Sequence, residues 1–180
     1  MINSNGVFDD AVFIKSPFYN QRPDDVKVSL LVIHCISLPE GKFGTPHIKD
    51  LFTGYLDCTA DPSFADLEGL EVSAHCVIRR DGSIEQYVPF DQRAWHAGVS
   101  CFDEVDGCND YSIGIELEGT DCSEYTELQY KSLVKVTKSI QQYYPLITNQ
   151  RIVAHSEIAP GRKTDPGSQF DWTGYRAKLK

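Results

Sequence analysis

The run Leu30-Leu-Val-Ile-His34-Cys-Ile most constrains what this chain can fold into. Four consecutive apolar residues fit a strand covered on both faces. Such strands belong to the interior of a sheet that helices sandwich. The rest of the chain supplies the parts. Val72-Ser-Ala-His75-Cys-Val-Ile-Arg and Ile84-Glu-Gln-Tyr-Val-Pro flank Asp81-Gly82, which predicts an antiparallel hairpin with His75 in mid-strand. Tyr111 to Gly119 alternates strictly, with Ile113, Ile115 and Leu117 on one face and Ser112, Gly114, Glu116 and Glu118 on the other. Thr126-Glu-Leu-Gln129 is a capping box, and Leu133, Thr137, Ile140 and Tyr144 continue at helical spacing until Pro145. Arg151-Ile-Val-Ala reads as a last buried strand, and Phe170, Trp172, Tyr175 and Leu179 as a short terminal helix. The expectation is an α/β fold: one domain over 1–180, with a mixed central sheet flanked by helices.

The connecting stretches are less regular. Residues 1–28 are polar and turn-rich and read as an arm over the surface of a core spanning 29–180. Pro46 followed by Ile48, Leu51 and Phe52 predicts a short helix stopped at Gly54. The remainder of 38–71 is a long connection of the kind that often forms binding loops.

Charge narrows the function. A net charge of -9 disfavours nucleic acid as a partner, because phosphate binding needs a basic face, and gives no pull toward an anionic membrane. The first thirty residues hold no apolar run suited to a signal peptide, so a cytoplasmic location is expected. The six cysteines contain no Cys-x-x-Cys pair and read mostly as reduced core residues.

Chemistry gathers at strand ends. His34 closes one apolar run and His155 follows another. After His155, the segment with Pro160, Gly161, Pro166 and Gly167 is a loop that carries Lys163 and Asp165. Two histidines and a carboxylate form the three-ligand shell of a catalytic zinc, although each histidine taken singly also fits a hydrogen-bonded core position. Hydrolysis of an amide at such a site needs a base and a donor for the developing oxyanion. Glu116 and Glu118 compete for the first role, and Lys163 fits the second. Trp95 beside His96, in the glycine-terminated Arg93-Ala-Trp-His-Ala-Gly98, is a candidate sugar or peptide platform with Ala94 and Trp95 as candidate substrate contacts, against the plainer reading of a core corner. A cysteine nucleophile at Cys35 or Cys76 is the minor alternative.

Taken in order, His34 after its strand, Ser73-Ala-His-Cys-Val-Ile-Arg-Arg-Asp-Gly82, Arg93 to Gly98, Ser112-Ile-Gly-Ile-Glu-Leu-Glu-Gly119 and His155 to Gly167 resemble the AmpD-type zinc N-acetylmuramoyl-L-alanine amidases. These are relatives of phage T7 lysozyme and the peptidoglycan recognition proteins, and the resemblance runs from about Pro17 to Trp172. It implies His34, His155 and Asp165 as ligands of one zinc ion, Glu116 rather than Glu118 as general base, and Lys163 as transition-state stabiliser. It also implies cleavage of the bond between the lactyl group of muramic acid and L-alanine. The cytoplasmic branch prefers 1,6-anhydromuramyl peptides from wall recycling and so damps β-lactamase induction. A monomer acting on a small muropeptide is expected. A general wall or phage-type amidase and a non-catalytic muropeptide-binding module are the alternatives. Cys35 stands where asparagine is common in the family, and Glu71 and Gly107 where basic residues occur. Those departures bear on recognition of the stem peptide rather than on the metal.

Overall fold

The computed structural model describes residues 1–180. In chain order the elements are β1 (Val12–Phe13), β2 (Tyr19–Asn20), β3 (Leu30–Ile36), α1 (His47–Thr53), β4 (Cys76–Ile78), β5 (Ile84–Gln86) and β6 (Arg93–Ala94). They continue with β7 (Cys101–Phe102), β8 (Val105–Asp106), β9 (Ser112–Glu118), α2 (Glu127–Tyr143), β10 (Ile152–Ala154), α3 (His155–Ile158) and α4 (Trp172–Ala177). Six strands form one sheet in the order β1-β5-β4-β9-β3-β10. Only the β4–β5 hairpin is antiparallel; the other neighbours run parallel. This is the mixed α/β sheet that the apolar run at 30–33 requires. No helix is long and apolar enough to cross a membrane.

The two faces of the sheet differ, and the difference creates the site. Leu31 and Ile33 of β3 and Ile113, Ile115 and Leu117 of β9 pack on Leu133, Val136 and Ile140 of α2, with Phe170, Tyr175 and Leu179 from the chain's end. This face is one continuous apolar cluster. Each fully buried leucine or isoleucine there contributes on the order of 2 kcal/mol. The opposite face carries two smaller clusters. Leu30, Val32 and Val153 meet Ala97, Tyr111 and Ile158 in one. Val77 meets Ile48, Leu51, Phe52 and Tyr87 in the other. The polar residues of β3 and β9 project between them. All seven residues of β9 are buried, so its polar face is not open to solvent.

The helix signals operate as expected. The Thr126 hydroxyl accepts from the Gln129 N–H at 3.1 Å, and the Gln129 side chain accepts from the Thr126 N–H at 3.0 Å. That reciprocal pair satisfies two of the donors a helix start leaves unpaired. Gly54 ends α1 with φ of 78°, a conformation that glycine adopts without steric penalty.

Four details differ from the sequence reading. Residues 1–28 do more than lie over the surface: β1 extends the sheet, Phe8 is buried, and Arg22 reaches inward to the carbonyls of Phe90, Asn109, Asp110 and Ser112. Strand β4 is short, so His75 sits just before it, although its backbone still bonds to Gly114 and Tyr87. The segment after β10 begins with one helical turn, α3, before Pro160 stops it. All six cysteines are free, as expected, but only Cys76 and Cys108 are buried.

Candidate active site

Register across three adjacent strands places the polar residues in one row. His34 of β3 pairs with Glu116 of β9. Ala154 of β10 pairs with Ile33, so His155 arrives level with His34. The row lies toward the carboxyl ends of the parallel strands, where open α/β sheets bind ligands. The loop after α3 closes on itself because the Ser156 N–H donates to the Asp165 carbonyl at 3.1 Å. That closure returns the Asp165 carboxylate to the row.

Three donor atoms converge. His34 Nδ1 lies 2.9 Å from His155 Nδ1, and Asp165 Oδ2 lies 3.1 and 3.0 Å from the two nitrogens. Four-coordinate zinc with bonds of about 2.0–2.1 Å spaces its ligands about 3.3 Å apart, so these atoms need part by only a few tenths of an ångström. His155 Nε2 donates to the Ala97 carbonyl at 3.2 Å, which leaves the Nδ1 lone pair free. Burial pushes His34 down to about 4, against the opposing pull of the Asp165 carboxylate, so the ring is neutral as a ligand requires. Burial alone would raise Asp165, but the two imidazoles beside it outweigh that and hold it below the ordinary carboxylate range. Two imidazole nitrogens and one carboxylate oxygen are a donor set that fits a divalent zinc ion. It is also the one group of three such side chains placed to hold a metal.

The two glutamates of β9 separate by their partners. Glu118 accepts from the Gly44 N–H at 2.7 Å, Arg79 Nη1 at 3.2 Å and the Arg80 N–H at 3.2 Å. It fastens the loop before α1 to the sheet. Glu116 lies at the cavity with Oε2 buried and unpartnered. Burial pushes its carboxyl well above the usual range, Asp165 adds to the rise and Lys163 opposes it.

The row floors a cavity of about 250 Å³ whose walls include Leu38, Leu67, Leu70, Val72, Trp95 and Lys163. Trp95 faces this space, its indole N–H donating to Asn20 at 3.1 Å. Ala94 does not: pairing of β6 with β2 turns it into the apolar cluster under α1. Lys163 is exposed at the cavity edge. Cys35 is half-buried on the wall, with burial pushing its thiol far up, which makes it a poor nucleophile. Cys76 is wholly buried on the opposite face. Glu71 is exposed outside the cavity, and Gly107 begins a short 3-10 turn at φ of 71°. A larger open groove of about 1030 Å³ between residues 14–21 and α1 lies apart from the row.

His75 is structural. Its Nδ1 accepts from the Gly114 N–H at 3.0 Å, so Nε2 carries the proton donated to the Gln92 carbonyl at 3.1 Å. His96, which the sequence offered only as the neighbour of Trp95 on a candidate platform, instead contacts His34. Its Nδ1 lies 2.9 Å from His34 Nε2, and its Nε2 lies 3.1 Å from Ser112 Oγ.

A parallel-rich α/β sheet carrying a His-His-Asp triad beside an unpaired buried carboxylate has the makings of a metal-dependent hydrolase. Residues 24–168 match the family model described as N-acetylmuramoyl-L-alanine amidase, and the chain belongs to that family. It is 54% identical over 179 residues to the 1,6-anhydro-N-acetylmuramyl-L-alanine amidase AmpD of Enterobacter cloacae, covering 99% of this chain and 95% of that one. Its fold matches a crystal structure of a selenomethionine AmpD derivative with a TM-score of 0.97 at 54% identity, covering both chains fully. It also matches AmiD from E. coli, solved with the substrate anhydro-N-acetylmuramic acid-L-Ala-D-gamma-Glu-L-Lys, with a TM-score of 0.62 at 30% identity. That match covers 88% of this chain and 60% of AmiD.

Proposed function

We propose that this chain hydrolyses the amide between the lactyl group of 1,6-anhydro-N-acetylmuramic acid and the L-alanine of its stem peptide, with one zinc ion held by His34, His155 and Asp165. When bound, zinc supplies Lewis acidity, polarising a carbonyl and bringing the pKa of a coordinated water to about 7. Glu116 takes the proton from the attacking water and returns it to the departing alanine nitrogen as the C–N bond breaks. The products are the free peptide and the anhydro sugar acid. Lys163, at the cavity edge, offers its ammonium to the developing oxyanion. Trp95 and the apolar wall around it suit the apolar face of a sugar ring.

The observation that carries this reading is the unpaired Oε2 of Glu116, buried in the same row as three convergent ligand atoms. An orphaned buried carboxylate is costly in structural terms and is what a general base requires. The names of the AmpD relatives and the ligand of the AmiD complex support the substrate. The proposal extends to a monomeric enzyme serving wall recycling in the cytoplasm, as the resemblance to the AmpD branch implies.

The test is mass spectrometry of products from an anhydromuramyl tripeptide, with zinc, with a chelator and with zinc restored. A muramyl peptide with a reducing end runs alongside. Zinc-dependent release of free peptide from the anhydro substrate is expected. Equal cleavage of both would mean a general wall amidase, and no cleavage by zinc-loaded protein would refute the enzymatic reading.

A further inference from the structure

We propose that His96 is a positioning residue for this reaction: it accepts the Nε2 proton of His34, passes that polarity on to Ser112, and so keeps the Nδ1 lone pair of His34 aimed at the metal. The inference rests on the zinc reading above.

A singly protonated imidazole has one N–H and one lone pair, and the partner of one nitrogen decides which is which. His34 Nε2 has no carbonyl or carboxylate partner; it has His96 Nδ1 at 2.9 Å. His96 Nε2 in turn faces only the Ser112 hydroxyl, at 3.1 Å. Two arrangements satisfy this chain. In one, His34 Nε2–H donates to His96 Nδ1 and His96 Nε2–H donates to Ser112 Oγ, which leaves His34 Nδ1 bare. In the other every donor is reversed, and His34 Nδ1 carries a proton pointed at Asp165 Oδ2, 3.1 Å away. Only the first leaves a ligand. A hydroxyl can end either chain because it both donates and accepts.

The fold is built around this seat. The two rings meet edge to face at 86°, with centroids 4.9 Å apart. Gly114 lies beneath the His96 ring, where a Cβ would stand 2.5 Å from its Cγ and Nδ1. A strand glycine with ordinary φ often marks such close approach. Asn109 Oδ1 accepts from the N–H groups of His96 and Ala97, at 3.1 and 2.8 Å, and fixes the loop that carries both. The Ala97 carbonyl, bound also by Arg162 at 2.6 Å, sets the tautomer of His155. Two consecutive residues of one loop thus orient both histidine ligands.

The experiment combines imidazole ¹⁵N–¹H correlation spectra of the zinc-loaded protein with zinc affinities from competition against a chelating dye. In the wild type, His34 and His96 should both carry their proton on Nε2. His96→Leu fills the space without an acceptor and should lose about 10–100-fold in zinc affinity. His96→Asn restores an acceptor near the place of Nδ1 and should recover most of that loss. A proton on His96 Nδ1 in the zinc-loaded wild type would overturn the proposal, as would a leucine variant that binds zinc as tightly as the wild type. If the leucine variant does not fold, the wild-type spectrum decides alone. Failure of the wild type to bind one zinc would instead refute the metal reading itself.

Discussion

Glu116→Gln should stabilise the metal-free protein, by an amount that grows with pH, while sharply lowering turnover. The substitution keeps the shape of the side chain and removes its charge. In the unfolded chain the carboxyl titrates near its ordinary value of 4.5, whereas burial pushes it well above that in the folded state. Between those two values the folded wild type binds more protons than the unfolded chain, so its stability falls as pH rises. The slope is at most about 1.4 kcal/mol per pH unit, because a single group is involved. Glutamine does not titrate, so the stability difference between variant and wild type should be near zero at about pH 4. It should then widen at that slope until the folded carboxyl ionises. The offset is that slope multiplied by the pH interval over which the folded carboxyl stays protonated, and each kcal/mol is worth roughly 2–4 °C in melting for a chain of this size. Other groups largely cancel in the difference. Urea unfolding of both proteins at several values between about pH 4 and pH 7, with metal chelated, measures it. Loss of the base should cost about 10²–10⁴ in kcat. A glutamine variant less stable than the wild type, or an offset that ignores pH, would mean that Glu116 is not the unpaired, desolvated group that its surroundings indicate.

Asp165→Ala should lose most bound zinc while Glu116→Ala retains it, as metal analysis of the purified variants would read; zinc loss from the second would make Glu116 a ligand. Lys163→Met should lower kcat by about 10²–10³ with little change in KM, since its ammonium is assigned to the transition state; steady-state kinetics on the anhydromuramyl tripeptide decide this. Gly114→Ala should displace the His96 ring, because its Cβ would lie 2.5 Å away, and lower zinc affinity by about 10–100-fold along with thermal stability. Unchanged zinc affinity in that variant would separate His96 from the metal.

The fold was legible where pattern and period coincide: the apolar run at 30–33, the alternation of β9 and the capping box of α2 each predict an element that forms. Three of the site candidates were legible because His34, Glu116 and His155 interrupt or end apolar strands. What the chain alone could not show was register. Glu116 and Glu118 share a face and differ only in neighbours, since Arg79 and two loop N–H groups hold Glu118 while Glu116 keeps a bare oxygen. Phe8 and Arg22 escaped notice because each is a single anchor in a polar stretch, with no period to betray it. His96 was legible only as a neighbour of Trp95 on a candidate platform, yet Gly114 carried a trace of its true place: a glycine inside a strand of isoleucines announces that something comes close.

The site joins two halves of different rigidity, and the loop after β9 links them. His34 and Glu116 stand on central strands bonded on both sides, whereas Asp165 and Lys163 ride on a loop. That loop is tied down at several points. The Thr164 hydroxyl donates to Asp121 Oδ2, and the Tyr125 hydroxyl donates to the Pro166 carbonyl at 2.7 Å. Gly167, at φ of 86°, lies so near the Asp121 backbone that a Cβ there would stand 2.0 Å from its carbonyl oxygen. Asp121 and Tyr125 follow directly from the strand that bears Glu116. Glu116 and Asp165, the proposed base and the proposed carboxylate ligand, are therefore held by one continuous segment. A metal site assembled from distant parts of a chain needs its ligands fixed to within about 0.5 Å, and a free loop does not provide that. Here the strand that bears Glu116 also restrains the loop that bears Asp165.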